Sequence, residues 1–220
     1  MKVIHIISYL VCQCSILFVS AQNKNTGNIF KNEDKKFFGS LKVGMVASQV
    51  DGDNFGGFNK VGLTVGPSVF LQLNEKWVLN VDLMYTQKGS RVGASAGSDL
   101  GTYIERYKLN INSLDVPFVL NYVYNSTYLF GAGLSYSAFI SSKESLEQLY
   151  STQTYSSDIY KFNRHSVEAV FQVAAMANKN LMLGLRYQYG LSPIRDFRYI
   201  PFGRGNQFNN YFSFSASYVF

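Results

Sequence analysis

The side chains that could do chemistry are few. His165 is followed by Ser166 and Glu168, the three residue types of a hydrolytic triad. On an extended strand, however, Ser166 and Glu168 share one face and His165 points to the other. A triad would therefore need partners from neighbouring strands, and the plainer reading is a histidine at a loop end. Asp51-Gly52-Asp53-Asn54 hints at a calcium loop. An EF-hand would need an oxygen ligand where Phe55 stands and a bidentate glutamate where Gly62 stands, so the match fails. Turn formation explains the same residues. No catalytic residue, metal site or cofactor is expected.

Two further groups stand out. Lys42, Asp82, Asp115, Glu168 and Arg186 are charges set in segments that otherwise alternate between apolar and small or polar residues. The stretch PIRDFRYIPFGRGNQF combines Arg195, Arg198 and Arg204 with Phe197, Tyr199, Phe202 and Phe208. Guanidinium forks suit phosphate or carboxylate, and the aromatics add contact area, so this segment is a candidate binding loop. The competing reading is a loop folded over the structure beneath it. Tyr150, Tyr155 and Tyr160 make a weaker second candidate.

The elements that must position these residues are strands. Period-two alternation recurs eight times. Leu41, Val43, Met45 and Ala47 alternate with Lys42, Gly44 and Ser48; Val61 to Leu71 with Gly62, Thr64, Gly66 and Ser68; Trp77 to Tyr85 with Asn80, Asp82 and Thr86. A fourth strand over residues 106–124 has Leu109 and Ile111 on odd positions but Leu114, Val116, Phe118, Leu120 and Tyr122 on even ones. That change of parity predicts a β-bulge near Asn112 and Ser113. Further strands are expected at about 127–140, 165–177, 181–190 and 210–220, of which 165–177 could also be drawn as a short helix.

The connections alternate strictly. Asn74-Glu75-Lys76, Asn125-Ser126 and Asn178-Lys179-Asn180 are short and polar, whereas 50–59, 89–105, 141–164 and 191–209 are long. A transmembrane barrel has this pattern, with tight periplasmic turns and long external loops. In hydrocarbon every backbone polar group needs a protein partner, which strands provide by closing into a ring. Strands of ~10 residues or more suffice to cross at a tilt.

Alternation alone leaves open a soluble sandwich or a lipocalin-like barrel with an apolar interior. The charges favour the opposite orientation. Their mixed signs can pair within a narrow bore and fill it, while Leu, Val, Phe and Tyr face lipid. A proton or ion path through the same charges is the sharper alternative. Trp77, Tyr85, Tyr122, Tyr128, Tyr187 and Tyr218 lie near strand ends, as aromatic girdles do. The expected fold is all-β, an eight-stranded antiparallel transmembrane up-and-down β-barrel.

Composition agrees. In 220 residues there are 18 Phe and 16 Tyr, yet only 15% charged residues. The net charge of +6 is spread along the chain rather than concentrated in a patch, which argues against nucleic-acid binding. Lys2, the apolar run to Val19 and the small residues Ser20 and Ala21 read as a secretory signal over 1–21, in preference to an uncleaved anchor. Both cysteines, Cys12 and Cys14, lie within it. Residues 22–38 are expected to be a polar periplasmic tail and 39–220 the barrel.

DGDNFGGFNKVGLTVG followed by LNVDLMYTQKGS, then Leu114-Asp115-Val116-Pro117, RYQYGLSPI and the terminal Tyr218-Val219-Phe220, resemble the PorT-like outer-membrane β-barrel family of Gram-negative bacteria. The resemblance implies an eight-stranded barrel in the cell outer membrane, without implying one activity. It makes Phe220 similar to the signal read by the barrel assembly machinery. The expected partners are outer-membrane lipid and lipopolysaccharide, that machinery and an envelope protein. The expected role is structural or binding through the external loops, not a wide pore. An accessory part in an envelope or secretion assembly ranks second and a lipid-modifying barrel enzyme third.

Overall fold

The computed structural model describes residues 36–53, 57–92, 96–97, 103–148, 151–153, 162–196 and 203–220. The eight strands are β1 (Phe37–Asp53), β2 (Lys60–Gln72), β3 (Trp77–Asp82 and Met84–Val92), β4 (Tyr103–Tyr124), β5 (Tyr128–Gln148), β6 (His165–Met176), β7 (Leu181–Gly190) and β8 (Gly203–Val219). Each is antiparallel to the next, and β8 returns to β1 through Ser40↔Val219 to Asp51↔Phe208. The ring is closed, so neither β1 nor β8 is a free edge strand. Short ladders at Ala96–Gly97 and Ser151–Gln153 extend β4 and β5.

The short connections follow from their residues. Asn125 and Ser126 both have positive φ, and the Thr127 amide donates to the Tyr124 carbonyl, a tight primed turn suited to strand twist. The other two share a device. Asn74 Oδ1 accepts from the Lys76 and Trp77 amides, and Asn178 Oδ1 from the Asn180 and Leu181 amides.

β3 breaks at Leu83 for a covalent reason. The Leu83 amide donates to the Pro67 carbonyl at 3.0 Å, but Pro67 has no N–H to return the bond.

Burial confirms which face looks out. Leu41, Val43, Met45, Leu63, Phe118, Phe130, Phe171 and Phe214 are exposed, while Lys42, Thr64, Ser68, Asn80, Asp82, Glu168 and Gln188 are buried. A soluble barrel would show the reverse. The 165–177 segment is a strand, not a helix.

Several boundaries and one parity assignment differ from the sequence reading. β1 starts at Phe37, so Phe37 and Phe38 belong to the barrel, not the tail. β4, β5 and β8 run further outward than the alternation suggested. A register shift does occur at Asn112/Ser113, where Asn112 pairs with Ser141 and Ser113 with Phe139. The extra residue is Ile140 of β5, and β4 keeps one parity throughout. Leu109 and Ile111 are therefore buried in the bore rather than facing lipid. β5 changes face instead: Ser135 and Ser137 are buried below the bulge and Glu144 above it.

Candidate functional site

The interior is built in layers. At the short-turn end every strand supplies at least one apolar residue to a plug: Phe38, Phe70, Val78, Val123, Leu129, Ala174, Met176, Met182 and Val219. These stand on the inward parity at strand ends, where the bore would otherwise open.

Above the plug lies a layer centred on Asp82. Its Oδ2 accepts from Lys42 Nζ at 2.8 Å and Arg186 Nη2 at 2.7 Å, and its Oδ1 from Ser68 and Asn80. Arg186 also donates to Gln172 Oε1 through Nε and Nη2, at 3.0 and 2.7 Å. Gln172 in turn donates to Asn121. The next layer inverts the charge pattern. Lys88 Nζ is fully buried, 2.7 Å from Glu168 Oε1, 3.3 Å from Asp115 Oδ1 and 2.8 Å from Ser137 Oγ. Gln188 donates to Glu168, and Tyr211 donates to Asp115 at 3.0 Å. One carboxylate between two cations thus faces one cation between two carboxylates, and together they are neutral. Charges buried in this way persist only when paired and hydrogen-bonded. Between the layers lies a cavity of about 10 Å³ beside Lys42, Asp115, Arg186 and Tyr211. That is room for about one water molecule.

The end bearing the long connections has a second plug. Val50, Tyr107, Leu109, Ile111 and Ile194 pack together, with Phe139 and Phe162 against them. Arg195 closes it: Nη2 lies 2.8 Å from Glu144 Oε2, and the guanidinium carbon 3.6 Å from the Phe162 ring centroid. Tyr107 Oη donates to Glu144 Oε1 at 2.7 Å.

All five charges singled out from sequence, Lys42, Asp82, Asp115, Glu168 and Arg186, lie in the bore. Sequence reasoning missed Lys88, the hub of the second layer, as well as Tyr211 and Glu144. Arg195 is a correction. It was expected among the loop-binding residues, but it is fully buried and committed to Glu144, because the start of the last connection folds back into the mouth. Phe197, Arg198, Tyr199 and Phe202, the side chain of Arg204, the three loop tyrosines, and the leader and most of the tail lie outside the described residues.

His165 is exposed on the outer face, stacked on Tyr136 with its Nδ1 2.7 Å from the Tyr136 hydroxyl. Ser166 and Glu168 point inward. The three do not converge. The Asp51 carboxylate accepts from Gln49 and Asn210, pinning the outer ends of β1 and β8, while the side chain of Asp53 and residue Asn54 lie outside the described residues. Phe220 is exposed on the outer face, its amide donating to the Gly39 carbonyl at 3.0 Å.

The family model for the outer membrane protein beta-barrel domain matches residues 20–196. Among solved structures the chain is similar to Ail, the attachment invasion locus protein of Yersinia pestis, with a TM-score of 0.52 at 13% identity over 84% of this chain and 100% of Ail. The same protein in complex with the heparin analogue sucrose octasulfate gives a TM-score of 0.50 at 12% identity, over 84% of this chain and 100% of that one. Neisserial surface protein A gives 0.46 at 14% identity, over 84% and 97%. No curated protein matches the chain. At such identities the likeness to Ail concerns the fold.

Proposed function

The chain belongs to the outer membrane protein β-barrel domain family and resides in the outer membrane, and from that premise we propose that it is a closed, non-enzymatic barrel. Its role is to hold external loops at the cell surface as a structural or binding element. One observation carries the reading: among the described residues, two apolar plugs stand at the two ends of the bore with the charge layers between them. A conduit would need a continuous polar path of at least water width. The separation of His165 from Ser166 and Glu168 supports the absence of hydrolytic chemistry.

Binding falls to the long connections. Arg198 and Arg204 with Phe197, Tyr199 and Phe202 provide anion recognition and apolar area for an envelope partner. Arg195 anchors this loop from below.

The test has two parts. Purified protein in planar bilayers is expected to remain silent, and steady single-channel conductance would overturn the closed lumen. Removing residues 196–203 is expected to abolish capture of a surface partner while the barrel still assembles. Unchanged capture would remove this loop from the binding role.

A further inference from the structure

We propose that Arg91, Lys108 and Lys143, on the outer faces of β3, β4 and β5 at the long-connection end, form a docking site for the phosphorylated headgroup of an outer-leaflet glycolipid. The argument starts from where the apolar band stops. Outward-facing positions of β4 read Tyr124, Tyr122, Leu120, Phe118, Val116 and Leu114, then turn polar at Asn112, Asn110 and Lys108. On β3 the outward run ends at Tyr85, followed by Gln87, Gly89 and Arg91. On β5 it ends at Ile140, followed by Ser141 and Lys143. On β2 it reaches Val61, which is 59% exposed. Acyl-tail contact therefore lies directly beneath the cations.

The ladder brings those cations together. Arg91 is directly opposite Lys108, and Lys143 is opposite Asn110, one diagonal step from Lys108. Lys60 lies within electrostatic reach of both Arg91 and Lys108. All three proposed residues are exposed. Like charges directly opposite each other destabilise a strand pair, and an anion bound between Arg91 and Lys108 relieves that repulsion. Among the described residues no carboxylate is paired with any of them. Glu144, beside Lys143 in sequence, faces inward to Arg195 and Tyr107, and Asp51 is held by Gln49 and Asn210; Glu147, opposite Arg106 and one diagonal step from Lys108, has its side chain outside the described residues. A guanidinium fork and two ammonium groups above an apolar face match a ligand with phosphate in its head and hydrocarbon in its tail. An anionic lipid headgroup has that form.

The inference rests on the outer-membrane placement and not on the loop reading, so either can fail alone. The full chain is reconstituted in phosphatidylcholine vesicles containing bis-phosphorylated lipid A or the same lipid with its phosphates removed. Lipid A retained after detergent extraction is counted by native mass spectrometry. The triple variant Arg91→Gln, Lys108→Gln, Lys143→Gln is expected to retain at least about tenfold less phosphorylated lipid than the parent, three exposed charges being lost. The parent should retain the dephosphorylated lipid only at the variant's level. Lys179→Gln, at the opposite end of the barrel, should change nothing, and millimolar inorganic phosphate should not displace the lipid. Equal retention by the triple variant, equal retention of both lipids, an equal loss in Lys179→Gln, or displacement by inorganic phosphate would each overturn the proposal. Heat-modifiable migration of each variant on gels verifies that the barrel has formed.

Discussion

Lys88 Nζ lies 2.7 Å from Glu168 Oε1 across the middle of the bore, although β3 and β6 are not neighbours in the ring. The contact is a strut between walls rather than a cross-strand pair. It orders the second layer, because the same ammonium also holds Asp115 and Ser137. With Asp82 bridging Lys42 and Arg186 below it, and Ser68 and Tyr211 donating to Asp82 and Asp115, the two layers tie all eight strands together through side chains alone. These struts act in addition to the backbone ladder.

Removing the strut cation strands two buried carboxylates. Lys88→Met is expected to cost about 3–5 kcal/mol of stability, as breaking a buried pair does. Glu168→Gln in the same background should cost much less than in the parent, because the carboxylate it removes has already lost its partner. Urea unfolding in lipid vesicles would measure both. Additive effects in the double-mutant cycle would mean that Lys88 and Glu168 do not couple.

The narrow ring also depends on glycines facing inward. A Cβ at Gly133 would come within 1.9 Å of the Phe118 carbonyl oxygen, and one at Gly66 within 2.0 Å of that of Leu83. Gly133→Val or Gly66→Val is therefore expected to prevent folding into the heat-modifiable form. Gly184→Ala should fold normally, since its Cβ would meet Ala174 and Ser215 at 3.5 Å and the Val173 carbonyl oxygen at 3.8 Å, all ordinary contacts. A well-folded Gly133→Val would show that the strands can part at no great cost.

How far these features are legible in the sequence depends on parity. Asp82 announces itself as a charge within a clean alternation, and the same even register continues through Met84, Thr86, Lys88 and Ser90. Lys88 was missed because Gly89 reads as the start of a loop; following the register would have found it. Glu144 gives no such signal. Its inward direction depends on the extra residue at Ile140, which the sequence displays only as a change of apolar parity in the partner strand. The apolar Leu109 and Ile111 were thus assigned to lipid when they plug the mouth. Arg195 was unreadable for another reason: nothing local distinguishes an arginine that reaches solvent from one that folds back onto a carboxylate 51 residues away in sequence.

If the outer face is inert, His165 is dispensable. His165→Ala removes a 2.7 Å hydrogen bond and a stacked contact with Tyr136, both exposed. The expected loss is about 1 kcal/mol or less. The lipid A mass spectrum of cells carrying the variant should match that of the parent. A changed acylation pattern would revive the lipid-modifying reading and remove the non-enzymatic one.

Arg195 should determine how firmly the mouth is shut. Its side chain holds Glu144 and covers Phe162, while its backbone exchanges with Gln207: the Ile194 amide donates to the Gln207 carbonyl at 2.7 Å and the Gln207 amide to that of Arg195 at 3.0 Å. Asn163 adds two bonds, to the carbonyls of Ile194 and Pro193. In Arg195→Met, Glu144 keeps only the Tyr107 hydroxyl and becomes a buried charge without a cation, which favours opening toward water. The Ile194 and Gln207 amides are then expected to exchange with deuterium at least about tenfold faster, corresponding to about 1.4 kcal/mol of lost local stability. The amides of Val123 and Val219, at the opposite plug, should not change. If all four speed up together, Arg195 stabilises the whole barrel; if none does, the mouth is closed by its apolar residues alone.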